Sequence, residues 1–437
     1  MHAVEMKGET EDEFRIERPK SSVRMMDKER KYENTLVTIL FFSWGTVFLD
    51  RMSQHYLAPY FAPEFRLTHE QIGLLASVLA ITWALSTLVF GALSDRIGRR
   101  PILIPAVFAF SLLSWLSGVV HNFNEMLIVR ALLGVAEGPA WSIMTALIEE
   151  SSHPTRRGRN IGIVVSATAL VGLAVAPVLT TQVAARFGWR WAFFVAGVPG
   201  FLLGLLIWKF VKEPERKTNL SLHGRPVGFG DFFSILRYRN TWLCCAGAAG
   251  FVSWLFLLNV FAPLYITEVA HQEPTTAGFL LGASGLGSFF YALLFPTLSD
   301  RMGRRPILLV MAAMCTLVPL ALLISPLYAH PWALAAIVLL MNPGQGIAAL
   351  ILVLVPTESV SPQFAATAIG LATLAGEIFG ATLMPMFAGA LSQRYGLAVT
   401  LWMSAGGTVL LFLAALLLKE TAMARRGQAV VESATAV

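Results

Sequence analysis

Apolar residues occur along the chain in runs of about 20, the length of a bilayer-spanning helix, with short polar breaks between them. Strand-like alternation is absent, and a helix satisfies its own backbone hydrogen bonds in lipid. The pattern therefore predicts an all-α fold of twelve spans. They lie near residues 35–60, 70–93, 101–121, 124–148, 160–185 and 190–211, and then near 241–268, 275–298, 306–328, 331–356, 363–392 and 396–418.

Composition supports a membrane protein. Of 437 residues, 56% are hydrophobic and 14% are charged, whereas soluble domains carry about 25% charged residues. The cysteines Cys244, Cys245 and Cys315 lie inside apolar runs and predict neither disulfides nor a metal site. No P-loop, nucleophile elbow, zinc pattern or nucleotide fingerprint occurs in a suitable setting, so we expect no enzyme activity and no metal or cofactor.

The basic residues are unevenly placed along the chain. With the N-terminus assigned to the cytoplasm, 27 of the 33 Lys and Arg residues fall in cytoplasmic segments, four in outer loops and two within spans. The positive-inside rule accounts for this distribution, so we expect no nucleic-acid partner. We predict a monomer in a bacterial inner membrane, with both termini in the cytoplasm.

The longest polar interruption divides the chain into six plus six spans. The predicted parts are a disordered cytoplasmic tail (1–33), a six-helix bundle (34–212), a cytoplasmic linker (213–240), a second six-helix bundle (241–418) and a cytoplasmic tail (419–437). Within the linker, Phe232, Phe233 and Leu236 have helical spacing, which predicts a short amphipathic helix on the inner leaflet.

Two similar strings show that the chain is an internal duplication. GALSDRIGRRPILI at 91–104 and PTLSDRMGRRPILL at 296–309 agree at ten of fourteen positions, each between the second and third span of its half. Carboxylates at a span end can pair with arginines in one conformation and release them in another, which predicts a gate. The gating residues are Asp95, Arg96, Gly98, Arg99 and Arg100, and then Asp300, Arg301, Gly303, Arg304 and Arg305.

Two aspects of these turns follow from the same residues. Gly98 and Gly303 are expected to form tight turns, and Arg99, Arg100, Arg304 and Arg305 an exposed basic row. The alternative is that these arginines only follow the positive-inside rule.

The repeated string resembles the loop signature GxLxDRxGRR of the major facilitator superfamily. That resemblance implies two six-helix bundles that rock about a site near the middle of the membrane.

Five charged residues fall well inside predicted spans, and a charge near the bilayer centre costs about 2.5–3.5 kcal/mol. They are Asp50 and Arg51 in the first span, Arg130 and Glu137 in the fourth, and Glu377 in the eleventh. Arg130 and Glu137 are seven residues apart and share a helix face, so we predict pairing between the first and fourth spans. The alternative is a buried salt-bridge quartet that only holds the bundle together.

The chemistry of these side chains suggests separate roles. Arginine keeps its proton and can hold a carboxylate through two hydrogen bonds, so Arg51 and Arg130 are predicted anion ligands. Buried carboxyl groups can titrate near neutral pH, so Asp50 and Glu137 are predicted proton carriers. We therefore predict proton-coupled import of a small organic carboxylate, which could be a sugar acid, a dicarboxylate or an aromatic acid. The alternatives are a proton antiporter that exports a drug or cation and, from another class, a transporter-like nutrient sensor.

Three segments support a narrower resemblance. FLDR (48–51), RALLGVAEGPA (130–140) and GWRWAFFVAGVPG (188–200) resemble the anion:cation symporter family, which includes bacterial galactonate and other organic-acid proton symporters. The resemblance implies the same roles for the four charged residues of the first and fourth spans. The eleventh span departs from the family, because Glu377 follows Gly376 where the family has an asparagine. Glu377 could repel an anion, relay a second proton, bind a substrate amine or lie protonated in helix packing.

The tenth span contains the string Asn-Pro-Gly-Gln-Gly at 342–346. Proline and glycine should break the helix near mid-membrane and free backbone carbonyl groups. We predict that Asn342 and Gln345 form hydrogen bonds to the substrate. The alternative is a kink that serves only helix packing.

Overall fold

The computed structural model describes residues 20–214, 235, 237–361 and 364–422. Over these residues the chain forms twelve helices that are long and apolar enough to cross a membrane, and no strands. The predicted all-α fold with twelve spans is confirmed. We number the spans α1 (Lys20–Phe65), α2 (His69–Ile97), α3 (Arg100–Ser117), α4 (Phe123–Ser151), α5 (Arg157–Phe187), α6 (Trp189–Phe210), α7 (Arg239–Val269), α8 (Pro274–Met302), α9 (Arg304–Leu322), α10 (Pro331–Ser359), α11 (Thr367–Tyr395) and α12 (Ala398–Leu417).

Helix α1 begins earlier than the sequence pattern indicates. The prediction of a disordered tail is wrong for residues 20–33, which continue the first helix. Glu33 is buried there because its carboxylate accepts hydrogen bonds from Arg156 at 2.5 Å and from Asn160 at 2.7 Å. Residues 1–19, 423–437 and the predicted amphipathic helix of the linker, with Phe232, Phe233 and Leu236, lie outside the described residues.

Among the π-helical segments of the described residues, two lie at equivalent places in the two halves. The segments are Thr168–Val175 in α5 and Gly376–Leu383 in α11, and each is followed closely by a proline, Pro177 or Pro385. Proline has no N–H to donate to the preceding turn, so regular α-helical bonding cannot continue through it. The duplication has therefore preserved a local backbone feature as well as the loop string.

The two halves meet at the membrane face opposite the two SDRxGRRP turns. We call the face with the turns the basic end and the opposite face the far end. Toward the far end α2 packs against α11, where Ser77 Oγ donates to the Thr382 carbonyl at 2.5 Å. On the other side α5 packs against α8 so closely that a side chain at Gly285 would overlap the Leu173 carbonyl.

Toward the basic end the halves separate. Within the described residues, the first parts of α5 and α11, up to Ala167 and Ala375, pack against helices of their own halves. At the far end, in contrast, His69 Nε2 of α2 lies 3.1 Å from Glu268 Oε2 of α7 and joins the halves. The structure is therefore closed at the far end and open at the basic end. The charged residues of the spans lie between these two ends.

Candidate functional site

The first element of the site is a buried ion pair between α1 and α4. Asp50 Oδ2 lies 3.9 Å from Arg130 Nη1, and both side chains have no exposed surface. Ser114 of α3 donates a hydrogen bond to Asp50 Oδ1, and the Arg130 guanidinium lies 4.9 Å from the ring centre of Phe193 in α6. The structure thus brings together residues of the first and fourth spans, as predicted. Sequence reasoning missed Ser114 and Phe193, although Phe193 lies in the string at 188–200 that supports the family resemblance.

Arg51 pairs differently from the prediction. Instead of joining the residues of α4, its Nη2 atom lies 3.3 Å from Oε2 of Glu377 in α11. Neighbouring helix residues point about 100° apart, so Arg51 faces the other half while Asp50 faces α4. The predicted pairing within one bundle is therefore wrong for Arg51, and Glu377 belongs to the site.

Three aromatic rings surround the Arg51 guanidinium. Its central carbon lies 4.9 Å from the ring centre of Trp83, 5.1 Å from that of Phe256 and 5.8 Å from that of Phe48. Rings at these distances stabilise a cation through their negatively polarised faces. They also keep Arg51 out of water, because only 2% of its side chain is exposed. A carboxylate that reaches Arg51 therefore meets a charge with little competition from solvent.

Several buried polar groups of the site make no hydrogen bond to any described residue. Neither carboxylate oxygen of Glu137 is hydrogen-bonded to any described residue, and the same holds for the three guanidinium nitrogens of Arg130. The charges that act on Glu137 are those of Asp50, Arg51 and Arg130. Buried polar groups are almost always hydrogen-bonded in proteins. A purely structural salt-bridge network would satisfy these groups internally, so their arrangement favours a site that binds a ligand or a proton.

The helix break in α10 is present as predicted, and the side chain of Asn342 stabilises the broken backbone. Helix ends at Leu340 and resumes at Gly344. Asn342 Nδ2 donates to Ser284 Oγ at 2.5 Å, and Asn342 Oδ1 accepts from the Gly344 N–H at 3.0 Å. These bonds favour the packing alternative for Asn342 over substrate binding.

Gln345 is fixed in place by a hydrogen bond of its backbone N–H group and not by its side chain. Its N–H donates to Ser288 Oγ at 2.8 Å. Its side-chain amide makes no hydrogen bond within the part of the chain that the structure describes. Gln345 therefore stays a predicted substrate ligand, whereas Asn342 fixes the break beside it.

The two SDRxGRRP turns form matching clusters at the basic end. Arg99 binds Asp95 at 2.6 Å and Glu150 of α4 at 2.9 Å. Arg304 binds Asp300 at 2.7 Å and Glu358 of α10, also at 2.7 Å. The glycines between them have φ of +112° at Gly98 and +100° at Gly303, which other residues rarely adopt. The predicted tight turns and carboxylate–arginine pairs are both present.

The prediction of an exposed basic row is wrong in part. The Arg304 side chain is 8% exposed and that of Arg99 is 16% exposed, because both turn inward to their carboxylate partners. Burial lowers the pKa of Arg99, but hydrogen bonds to Glu150 and Asp95 outweigh burial and raise it, so Arg99 stays charged. Arg305 and Arg301 are exposed, and Arg100 is partly buried and donates to the Trp208 carbonyl at 2.7 Å.

Each turn also has a glutamate cap that the sequence analysis missed. Glu213, after α6, accepts from the N–H groups of Arg99 and Arg100 at 2.7 and 2.8 Å. Glu420, after α12, accepts from those of Arg304 and Arg305 at 2.8 and 3.1 Å. The missed signal is a second repeat, because a Lys-Glu pair follows the last span of each half. Carboxylates at a helix N-terminus are stabilised by its free N–H groups.

No group of three or more His, Cys, Asp or Glu side chains within the described ranges could hold a metal ion. The charged site is thus built from guanidinium and carboxylate groups, which suit organic anions and protons. It lies where the two halves face each other, below the closed far end.

Comparisons with known proteins agree with this architecture. Residues 40–381 match the family model for the Major Facilitator Superfamily. The chain is 27% identical over 288 residues to a probable L-galactonate transporter of Escherichia coli K12, covering 61% of this chain and 63% of that protein. The chain therefore spans less than two thirds of that relative. It is 28% identical over 292 residues to a probable 4-methylmuconolactone transporter of Cupriavidus pinatubonensis, covering 65% and 67% of the two chains.

A solved structure shares the fold. A bacterial homolog of the human lysosomal transporter Spinster, in an inward-facing and unoccupied conformation, superposes with a TM-score of 0.69 at 19% sequence identity. The match covers 88% of this chain and 97% of that one. At this identity the likeness establishes the fold alone.

Proposed function

We propose that the chain, which belongs to the Major Facilitator Superfamily, is an integral membrane transporter that imports a small organic carboxylate together with protons. The observation that carries the proposal is the pairing of each buried arginine with a carboxylate of the protein. Arg130 faces Asp50 and Arg51 faces Glu377. A guanidinium that binds a protein carboxylate can bind a substrate carboxylate in the same way.

Protonation of the protein carboxylates allows the substrate carboxylate to replace them on the arginines. When a buried carboxylate takes up a proton, its attraction to the arginine is lost and the guanidinium becomes available to an anion. Glu137 lies within the electrostatic influence of both arginines without a hydrogen bond of its own to any described residue. It is therefore the group most available to carry a proton. Release of the anion and the proton on the other side restores the internal pairs.

The proposed direction, import, is supported by the predicted orientation of the chain. Because the positive-inside rule places Lys and Arg in the cytoplasm, the basic end is the proposed cytoplasmic face. The structure is open at that end, which corresponds to the conformation from which cargo leaves a carrier that imports. The names of the two curated relatives refer to L-galactonate and 4-methylmuconolactone, and their chemistry supports an organic acid as substrate.

A ligand screen tests the proposed site. Purified protein would be heated with L-galactonate, 4-methylmuconolactone, succinate or benzoate, which we call the acid panel. A ligand at 100 times its Kd stabilises a protein by about 2.7 kcal/mol, so at least one acid should raise the Tm by several degrees. Arg51→Ala should abolish that rise, because removing a buried partner leaves the bound carboxylate unpaired.

A matched variant controls for loss of an arginine as such. Arg190 binds Glu64 at 2.7 Å at the far end, outside the site. Arg190→Ala should keep the stabilisation by the same acid.

Transport is tested separately. Proteoliposomes that contain the wild-type protein, with an imposed pH gradient that is acidic outside, should accumulate the acid. A panel without any stabilising acid, or uptake that ignores the gradient, would contradict the proposal.

A further inference from the structure

The Arg51–Glu377 ion pair joins the two halves of the protein within the site. It links α1 of the first half to α11 of the second at the level of the site, far from the closing contacts. Its single contact of 3.3 Å is not a two-point arginine–carboxylate bond. Glu377 is 15% exposed, whereas Arg51 is almost fully buried. The carboxylate therefore approaches the guanidinium from the open side of the site.

Among the described residues, a single charged side chain acts on Glu377, that of Arg51. Its segment packs on α7 through uncharged residues, Val252 and Ser253 beside Gly380, and on α2 through Ser77. Around Arg51 itself stand Asp50 and His55 on the same helix and Glu137 on α4. Protonation of Glu377 is thus opposed chiefly by Arg51.

Glu377 lies at the start of the π-helical segment Gly376–Leu383. Short π-helical segments occur frequently at functional sites. The position of Glu377 in such a segment is consistent with a functional role.

We propose that Glu377 is an internal substitute for the substrate carboxylate. In the empty carrier it occupies the anion position on Arg51. The substrate takes that position only when Glu377 has accepted a proton, and the neutral carboxyl O–H then donates a hydrogen bond to the arriving carboxylate. The inference rests on the proposed function and adds to it one more coupled proton, carried by the second half of the chain.

The proton balance is simple. One proton from the water at the far end binds to a Glu377 oxygen as the Arg51–Glu377 pair opens. The same proton leaves to the water at the basic end when the substrate departs and the pair forms again. Each transport cycle thus moves this proton in the direction of the substrate. Substrate affinity must therefore fall as pH rises, more steeply than Glu137 and Asp50 alone would require.

The test is the pH dependence of binding in the full-length protein. The Kd of the acid that gives the largest Tm shift in the acid panel would be measured between pH 5.5 and 8.5 for the wild type, Glu377→Gln and Glu64→Gln. Each coupled proton weakens binding about tenfold per pH unit above its titration. Glu377→Gln should reduce this slope by about one power of ten per pH unit and bind about tenfold tighter at pH 8. Glu64→Gln should match the wild type.

The outcomes separate this inference from the proposed function. An unchanged slope in Glu377→Gln, with binding intact and lost in Arg51→Ala, would overturn the role of Glu377 and leave proton-coupled import standing. Loss of binding in Glu377→Gln at every pH would also overturn it, because binding would then require the Glu377 carboxyl group itself and not only the removal of its charge. If no acid of the panel binds either protein, the proposed function fails and this inference fails with it. Size-exclusion profiles would verify that each variant is folded.

Discussion

The two halves of the transporter are alike at the basic end and unlike at the centre. At the basic end each half has an arginine held by an aspartate four residues earlier and by a glutamate of its fourth helix, with Arg99 and Arg304 in equivalent positions. At the centre the first half holds Asp50, Arg51, Arg130 and Glu137, whereas the second contributes Glu377 alone among the charged residues of the site.

This difference separates two tasks. At the basic end both halves form the same arginine–carboxylate pairs, so a duplicated chain uses the same turn twice. Binding one substrate takes place once, on the axis between the halves, and does not require two equal sets of ligands. The first half therefore supplies four of the charged side chains of the site. The second half supplies uncharged side chains and one carboxylate, that of Glu377.

The largest effect should come from removing the coupling group of the charged half. Glu137→Gln keeps the shape of the side chain but cannot take up a proton, so exchange of labelled acid across the membrane should continue. Accumulation driven by a pH gradient should be lost. Both are measured in proteoliposomes loaded with the acid of the panel that binds best.

Glu64→Gln is the matched control for this experiment and should accumulate the acid as the wild type does. Accumulation that survives in Glu137→Gln would transfer the coupling role to the remaining carboxylates. In that case the contrast between the halves would no longer rest on Glu137.

The sequence predicts the shared features better than the unequal ones. Hydropathy and the SDRxGRRP string are local signals, so the twelve spans and the turns at Gly98 and Gly303 follow from them directly. The partner of Arg51 is 326 residues away, and no local pattern joins the two positions. The spacing of Arg130 and Glu137 identified one face of α4, but only the packing of six helices shows that Asp50 faces Arg130 and that Arg51 does not.

Asn342 illustrates a different limit. A polar amide at a helix break is equally suited to bind a substrate or to satisfy the broken backbone. Its bonds to Ser284 and Gly344 decide between these roles, and they depend on where α8 passes. The helical extension of α1 over 20–33 has a similar cause, because Glu33 is buried by residues of α5 that are more than 120 positions away.

The next prediction tests the likeness of the two turns. Gly98→Ala and Gly303→Ala each place a side chain on a backbone with positive φ, and the added Cβ would meet Glu213 or Glu420. Such strain costs on the order of 1–3 kcal/mol. Both variants should lower the Tm of the purified protein by similar amounts. A fall in only one of them would show that the turns are not equivalent, and Gly406→Ala, within α12 with open space around it, is the control.

The smallest effect should reveal where the turns do differ. Glu358 accepts hydrogen bonds from Arg304 at 2.7 Å and from Thr421 at 2.6 Å and is 23% exposed, whereas Glu150 accepts one bond from Arg99 at 2.9 Å and is 38% exposed. Exposed ion pairs contribute about 0.2–1 kcal/mol, whereas removing one partner of a more buried pair costs more because it leaves a buried charge without compensation. Glu358→Gln should therefore lower the Tm more than Glu150→Gln.

The same comparison should appear in a double-mutant cycle. Combining Glu358→Gln with Arg304→Gln should recover part of the stability that the arginine variant loses, since the charge left buried by one change is removed by the other. Combining Glu150→Gln with Arg99→Gln should recover less, because water reaches Arg99 more easily. Equal coupling energies in the two cycles would mean that burial does not distinguish the turns. The asymmetry of the transporter would then be confined to its centre.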